Sequence, residues 1–576
     1  MLRRFYIKWK RQSSKKYNLE LSPDEVLLDS KNLPGHDMDQ FEGQIEKPIS
    51  VKSLWVVGSF FIMLFLIFGA KIWSLQITNG QKYAERSENN RLRETLVFPE
   101  RGLIYDRNGK VLAENVPAGS NSEYPLRKYI QMPGISSLLG YVKYPKKDKF
   151  GFFYDETLDG KDGIEKFYNN SLDGENGKRI VEVNAVGEVQ SESVMISPKN
   201  GDNLKLTIDA DIQSKMYEVM DELTQRIGFG GGSGVIMDVK TGGLLALVNY
   251  PEYSSQVMTD GKDNSKISGY LNSKMKPFLN RAVDGLYTPG SIVKPFMALA
   301  GVTENVFDPA LKIYSSGALV IPNPYDKTKP SIFRDWKAHG WIDMRNAIAQ
   351  SSDEYFYRLG GGFPPESQVG LGIVRIDKYL SMFGFGKPLI AGSYFDGVSG
   401  VIPTPAWKAE NFKDGTWRLG DTYHTSIGQY GFLTNPIQVT RAVSAIANDG
   451  IIVEPKLLET EETVTSKVDD VSSYAFRVVK EGMRLAVTDQ VEGTAKALYI
   501  PEVTAAGKTG TAEIDEGKIK VNSWVIGFFP YEKPRYVFTI MMEKGPRSNT
   551  IGASYVMRSV LQWMAVYKSE YFKNIE

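Results

Sequence analysis

The sequence predicts an α+β protein in which one N-terminal membrane helix is followed by a β-rich region and then by a larger domain mixing antiparallel strands with helices. Three observations predict this. Residues 54 to 70, "LWVVGSFFIMLFLIFGA", carry no charge, and the apolar character continues past Lys71 to Ile77, which is long enough to span a bilayer. Next come short strand-like runs broken by turn signals such as "DRNG" at 106–109. Finally, "GSGVIMDVKTGGLLALVNYP" reads as a hairpin of two apolar strands around a Gly-rich turn, the opening of a new domain.

The elements follow in order. The first 16 residues hold seven Lys or Arg, which predicts a cytoplasmic N-terminus. Residues 20 to 50 are polar and aperiodic, a flexible tail. The apolar segment is internal and no A-x-A site follows it, so it reads as a retained anchor rather than a signal peptide. After it, a strand at Leu96 to Phe98 and a second strand interrupted by "DRNG" begin the β-rich region. "RIVEVNAVGEV" and "DNLKLTIDADIQ" are also strand-like, and a helix runs from about Ile212 to Arg226. "NSWVIGFFP" and "RYVFTIMME" are two further strands near the C-terminus. No tandem repeat is apparent.

Composition narrows the chemistry. A chain of 576 residues suggests three to four units of about 150 residues. The 69 Lys plus Arg nearly cancel 68 Asp plus Glu, so no nucleic-acid footprint is expected. There is no cysteine, which removes disulfides, thiol nucleophiles and thiolate metal sites. Three histidines, His36, His339 and His424, leave little room for a Ser-His-Asp triad. An activated serine here would use lysine as its base.

"YTPGSIVKPF" at 287–296 supplies such a pair. Thr288 is expected to cap a helix beginning at Pro289, with Ser291 in its first turn and Lys294 stacked on the same face. Pro295 breaks the helical rules beside this candidate nucleophile. S-x-x-K also occurs at Ser13 and Ser273, so the spacing alone is weak. Two further features strengthen it: "QSSDEYFY", with Ser351 and Asp353 at S-x-D spacing, and "AAGKTGTAE" at 505–513. K-T-G also occurs at Lys240 to Gly242, but between two apolar strands, where it reads as a hairpin turn. The later copy fits the edge of a sheet beside a cleft.

The order S-x-x-K, S-x-D, K-T-G is that of penicillin-binding proteins and serine β-lactamases. "RGLIYDRNG" after an anchor resembles the pedestal of class B penicillin-binding proteins, and "YTPGSIVKP", "SSDEYFY", "SIGQYGFLTNPIQ" and "GKTGTAE" resemble their transpeptidase domain. S-x-D, "PTPAWK" and "GDTYHTSIGQ" resemble the elongation type. The resemblance implies a cytoplasmic tail at 1–53, an anchor at 54–77, a pedestal with a shortened head at 78–205 and a transpeptidase domain at 206–576. It implies Ser291 as acylated nucleophile, Lys294 as its base, and Ser351 as proton relay supported by Lys294 and Lys508. Asp353 matches the third position of the second motif, Thr509 would hold a substrate carboxylate beside Gly510, and the Ser291 and Thr511 N–H groups would form the oxyanion hole.

The implied activity is peptidoglycan D,D-transpeptidation during cell elongation. It needs no cofactor and is blocked by β-lactams. The implied partners are stem peptides ending in D-Ala-D-Ala, a membrane glycan polymerase of the shape, elongation, division and sporulation family, and other elongation-complex proteins. That polymerase is expected to meet the membrane helix and the pedestal base near "RGLIYDRNG", because residues 116–124 are too short for a head domain. Some elongation-type relatives bind zinc through Asp, His and Cys. "FRDWKAHGWID" offers Asp335, His339 and Asp343 without a cysteine, so no metal is expected. The rival readings are a carboxypeptidase or β-lactamase, a bifunctional synthase, and a non-catalytic β-lactam sensor or scaffold. The anchored pedestal, the lack of room for a polymerising domain before it, and the short tail argue against them in turn.

Overall fold

The computed structural model describes residues 51–84, 92–117, 123–149, 153–183, 189–323, 325–326, 328–514, 517 and 519–573. The chain divides into two compact units, one formed by 1–93 with 184–186 and the other by the remainder. In the first, the α-helix Val51–Trp73 runs on as a π-helical turn, Ser74–Thr78. None of its residues is buried, and its 28 residues are apolar enough to cross a bilayer.

In the second unit, strands Leu204–Lys205, Ile104–Tyr105, Val111–Val116 and Leu126–Tyr129 form one sheet in that order. The turn expected at "DRNG" is present, and Asp106 builds it. One carboxylate oxygen accepts from the Asn108 and Lys110 N–H groups, and the other accepts from Ala210 N–H at the start of helix Ala210–Ile227. Lys568 binds Asp209 and Asp211 of that same helix start, so the turn, the helix and the C-terminal segment are joined through charge.

Arg101 lies at the centre of the region. Its guanidinium donates to the Glu165 carboxylate at 2.6 Å, to the Glu165 and Leu158 carbonyls and to Asn169, and Arg127 meets the other Glu165 carboxylate oxygen at 2.8 Å. Arg101, Arg127 and Asp106 are buried, so the Arg101 and Asp106 parts of the expected polymerase surface point inward. Of the short 116–124 segment, residues 118–122 lie outside the described residues, while Val116 and Leu126 on either side pair antiparallel.

Burial pushes the Glu165 carboxyl up, but the two arginines outweigh it and hold it below its ordinary value. Glu165→Ala leaves two buried cations facing one another and is expected to destabilise the unit by about 3–5 kcal/mol, read as a lowered Tm. Because the folded value is depressed, the Glu165 contribution is present above the ordinary glutamate pKa and is lost as pH falls through the folded value. Stability of the unaltered chain should therefore drop on acidification, and Glu165→Ala should flatten that drop.

The larger part of the unit is a five-stranded antiparallel sheet in the order Leu244–Tyr250, Gly231–Asp238, Tyr536–Pro546, Lys520–Phe529, Ala506–Glu513. Strand alternation feeds two cores: Val235, Met237 and Ile526 enter one, while Ile236 and Val525 enter the other. Ile212, Met216 and Met220 of helix Ala210–Ile227 cover one face, joined by Val556 and Val560 of helix Ala553–Tyr567. Helices Lys294–Thr303 and Pro436–Ala447 cover the other. Ala506–Glu513 is left as an edge strand, with one side open beside the helix that starts at Lys294.

Candidate active site

The serine turn differs from the single helix that its sequence predicts. Gly290–Val293 is a 3₁₀ turn, and the α-helix begins only at Lys294. Thr288 supplies no side-chain cap, and its carbonyl accepts from Trp524 Nε1 instead. Pro295 falls in the first helical turn, where an N–H has no intrahelical acceptor, so its apparent conflict disappears. Lys294 N–H, not residue 295, donates to the Ser291 carbonyl. A 3₁₀ turn eclipses positions i and i+3, which keeps Lys294 beneath Ser291.

Lys294 is fully buried, and its Nζ donates to the Ser351 carbonyl at 2.7 Å, Ser351 Oγ at 3.4 Å and Asp353 Oδ1 at 2.6 Å. Ser291 is half-buried, and its Oγ makes no hydrogen bond to another described residue. Ser351 ends helix Met344–Gln350 with φ at 60°, the left-handed region a serine seldom occupies. That reversal separates the helix from the next, Asp353–Gly361, which Ser352 caps through Tyr355 N–H. It also leaves Ser351 Oγ between two amines, because Lys508 Nζ reaches it at 2.8 Å.

Lys508 lies on the edge strand, fully buried, and also donates to the Thr509 carbonyl at 2.8 Å. Gly510 lets this strand approach the serine turn: a Cβ there would stand 2.8 Å from Ile292 Cγ2 and 2.9 Å from the Pro289 carbonyl. Thr509 is half-buried and Thr511 is exposed at the open edge. The other K-T-G triplet is a hairpin turn, in which Asp238 accepts from Lys240 and Thr241 N–H and Gly242 has φ at 75°. Of the other S-x-x-K pairs, Ser273 and Lys276 form a turn, and Ser13 lies outside the described residues.

Burial drives the Lys508 amine well below the ordinary lysine value, and the nearby Lys294 charge adds to this while Asp353 opposes it. Burial raises the Asp353 carboxyl, with Lys294 as the main opposing influence. Asp335 lies behind them. Burial would raise it, but His339, Lys294 and the Glu354 and Asp353 N–H groups outweigh burial and hold it at about 2.

The metal expectation meets a specific geometry. Asp335 Oδ2 accepts from Ser352 Oγ at 2.8 Å and Glu354 N–H at 2.9 Å, and His339 Nε2 stands 3.4 Å away. His339 Nδ1 faces Gln350 Oε1 at 3.0 Å. Asp343 is engaged elsewhere, capping helix Met344–Gln350 through Asn346 N–H. Only two of the three donors converge, which does not fit a tetrahedral zinc set. Asp335 instead braces the S-x-D motif, a role that its sequence neighbours gave no spacing signal for.

Residues 232–562 match the family model for the penicillin binding protein transpeptidase domain. The chain belongs to this family. A second match, to the penicillin-binding protein dimerisation domain, covers residues 117–206. Among curated relatives, peptidoglycan D,D-transpeptidase MrdA of Haemophilus influenzae is 28% identical over 92% of this penicillin-binding protein and 94% of the relative. MrdA of Escherichia coli is 26% identical over 87% and 92%. Among solved structures, the Helicobacter pylori complex between penicillin-binding protein PBP2 and MreC aligns with TM-score 0.67 and 26% identity, covering 83% of this chain and all of that one. A structure described as "Structural coordination of polymerization and crosslinking by a peptidoglycan synthase complex" aligns with TM-score 0.69 and 25% identity, over 91% and 99%.

Proposed function

We infer that this penicillin-binding protein cross-links peptidoglycan during cell-wall elongation and that Ser291 carries the acyl group. It is a serine-type D-Ala-D-Ala transpeptidase. The observation that carries the residue assignment is the convergence of Lys294 and Lys508 on Ser351 Oγ directly behind the serine turn.

In the resting site, Lys294 forms an ion pair with Asp353, while burial biases Lys508 towards the neutral amine. A stem-peptide carboxylate held by Thr509 raises the proton affinity of Lys508. A proton then passes from Lys294 through Ser351 Oγ to Lys508, which frees Lys294 as base. Ser291 Oγ loses its proton to Lys294 and attacks the carbonyl of the penultimate D-Ala. The N–H groups of Ser291 and Thr511 stabilise the oxyanion. Ser351 relays a proton to the leaving amine, the terminal D-Ala departs, and an ester remains on Ser291. An amine from a neighbouring strand attacks this ester, forms the new amide and returns the Ser291 proton. β-Lactams stop at the ester stage.

The reading assigns 78–205 to the pedestal and 206–576 to the transpeptidase domain. The apolar helix is a single-pass anchor in the cytoplasmic membrane. The basic residues ahead of it favour a cytoplasmic N-terminus, with the catalytic domain outside. A membrane glycan polymerase of the shape, elongation, division and sporulation family and other elongation-complex proteins are the proposed partners. The alignments with a PBP2–MreC complex and a peptidoglycan synthase complex support them.

The test is labelled penicillin on the purified full chain, followed by mapping of the modified peptide. The label is expected on Ser291 and absent from Ser291→Ala, whose unfolding should be unchanged. Full-stoichiometry labelling of the variant would overturn the assignment.

A further inference from the structure

Segments 313–321 and 331–342 form a two-stranded ribbon that the proposed reaction does not use. Ile313–Ser315 pairs with Gly340–Ile342, and Ala318–Ile321 pairs with Ser331–Arg334, both antiparallel. Asp335 N–H to the Gly317 carbonyl and His339 N–H to the Ser315 carbonyl join the two pairs into one element. Its inner face is ordinary core: Ile313, Leu319 and Ile342 are buried, and Phe333 packs on Tyr357 and Tyr423.

The outer face is not ordinary. Tyr314 and Trp341 lie directly opposite each other, 54% and 68% exposed, with ring centroids 5.5 Å apart. Val320 and Ile332 form a second exposed cross-strand pair. By strand alternation, Lys312 and Arg334 share this face. Both are exposed, and neither forms an ion pair among the described residues. Exposed aromatic and aliphatic pairs flanked by unpaired cations suit a ligand that presents both apolar ring faces and carboxylates.

The ribbon is fastened to the second catalytic motif. Glu354 accepts from Ser315 Oγ and Gly317 N–H, Asp335 accepts from Ser352 Oγ and Glu354 N–H, and Tyr357 OH donates to the Arg334 carbonyl. The ribbon's inner side is therefore held against the element that carries Ser351 and Asp353, and the outer face is the side turned to solvent.

We propose that this face docks the acceptor peptidoglycan strand, with pyranose rings stacked on Trp341 and Tyr314 and stem-peptide carboxylates on Lys312 and Arg334. The proposal rests on the transpeptidase reading. The donor stem is consumed in acylating Ser291, so the second half of the reaction needs a second strand held within reach of the ester. A glycan bearing acidic peptides has the chemistry that this face complements, and the ribbon that carries the face is fastened to the second motif through Asp335 and Glu354.

The test uses the full chain in detergent with soluble, uncross-linked glycan strands bearing pentapeptide stems. The Tyr314→Ala/Trp341→Ala double variant is expected to acylate with labelled penicillin within about twofold of the unaltered rate. Its strand affinity and its ratio of cross-linked to hydrolysed product should each fall about tenfold. Tyr314→Phe/Trp341→Phe should restore both, and Lys312→Glu/Arg334→Glu should reproduce the loss. Unchanged affinity and product ratio in the alanine double variant would overturn the proposal. So would a loss confined to self-association or to co-purification of a protein partner, which would assign the face to that contact. Failure of penicillin to label unaltered Ser291 would overturn the transpeptidase reading itself, and the proposal with it.

Discussion

Lys294→Ala is expected to lower the rate of penicillin acylation by about 10²–10⁴-fold, the span typical of a lost general base. The reason lies in three contacts that converge on one buried amine. Lys294 Nζ touches Ser351 twice and Asp353 once, and it sits one 3₁₀ step below Ser291. Alanine removes the base and leaves the buried Asp353 carboxyl without its nearest cation. Lys294→Arg separates these two losses. Arginine preserves a cation for Asp353 but does not give up its proton at ordinary pH. Lys294→Arg should therefore recover thermal stability and leave acylation near the alanine level, measured by stopped-flow labelling. Recovery of the acylation rate by arginine would show that charge alone is required and would refute the base assignment.

Lys508→Ala should slow acylation by about 10²–10³-fold, the scale of a lost electrostatic donor in a water-restricted site. Lys240→Ala, in a surface hairpin turn of the same local sequence, should be silent. The two triplets are alike as letters, but only one lysine is fully buried with Ser351 Oγ at 2.8 Å. The substrate-coupled proton transfer adds a sharper expectation. A β-lactam whose carboxylate is esterified should acylate the unaltered chain more slowly than the free acid. That difference should shrink in Lys508→Ala, because the amine whose proton affinity responds to the carboxylate is gone while Thr509 still holds it. An undiminished difference in the variant would refute the coupling of Lys508 to the carboxylate.

Much of this architecture was legible in the sequence, where local patterns carry enough information. The uncharged run at 54–70 specifies a long apolar helix, because hydrophobic length is counted along the chain. Two apolar runs around a Gly-rich turn at 232–251 specify a hairpin, and the helix expected from about Ile212 to Arg226 is present as Ala210–Ile227. The serine turn was less legible. Its letters S-x-x-K-P contain a conflict if a single helix runs through them, and the conflict is resolved by starting the α-helix four residues later than Gly290.

Tertiary structure alone decided the rest. Which K-T-G lies beside Ser351 depends on which strand becomes the sheet edge, and that follows from the pairing order of strands more than two hundred residues apart, as in the register of Gly231–Asp238 against Tyr536–Pro546. Asp335 and His339 carry donor atoms that suit a metal when read as letters. Folding directs Asp335 to Ser352 and Glu354, and it engages Asp343 in capping a different helix. The left-handed Ser351 is likewise invisible in sequence, since serine has no preference for that conformation, and only the two amines converging on its oxygen give the conformation a use. The sequence by itself determined which chemical groups were available and where the anchor, the hairpin and the helix from Ala210 would form, because those depend on contacts near in the chain. The environment of each group was decided by the fold, because burial and pairing at 2.6–3.4 Å are set by residues distant in sequence, and those contacts bring the Lys294 and Lys508 amines together on Ser351 Oγ.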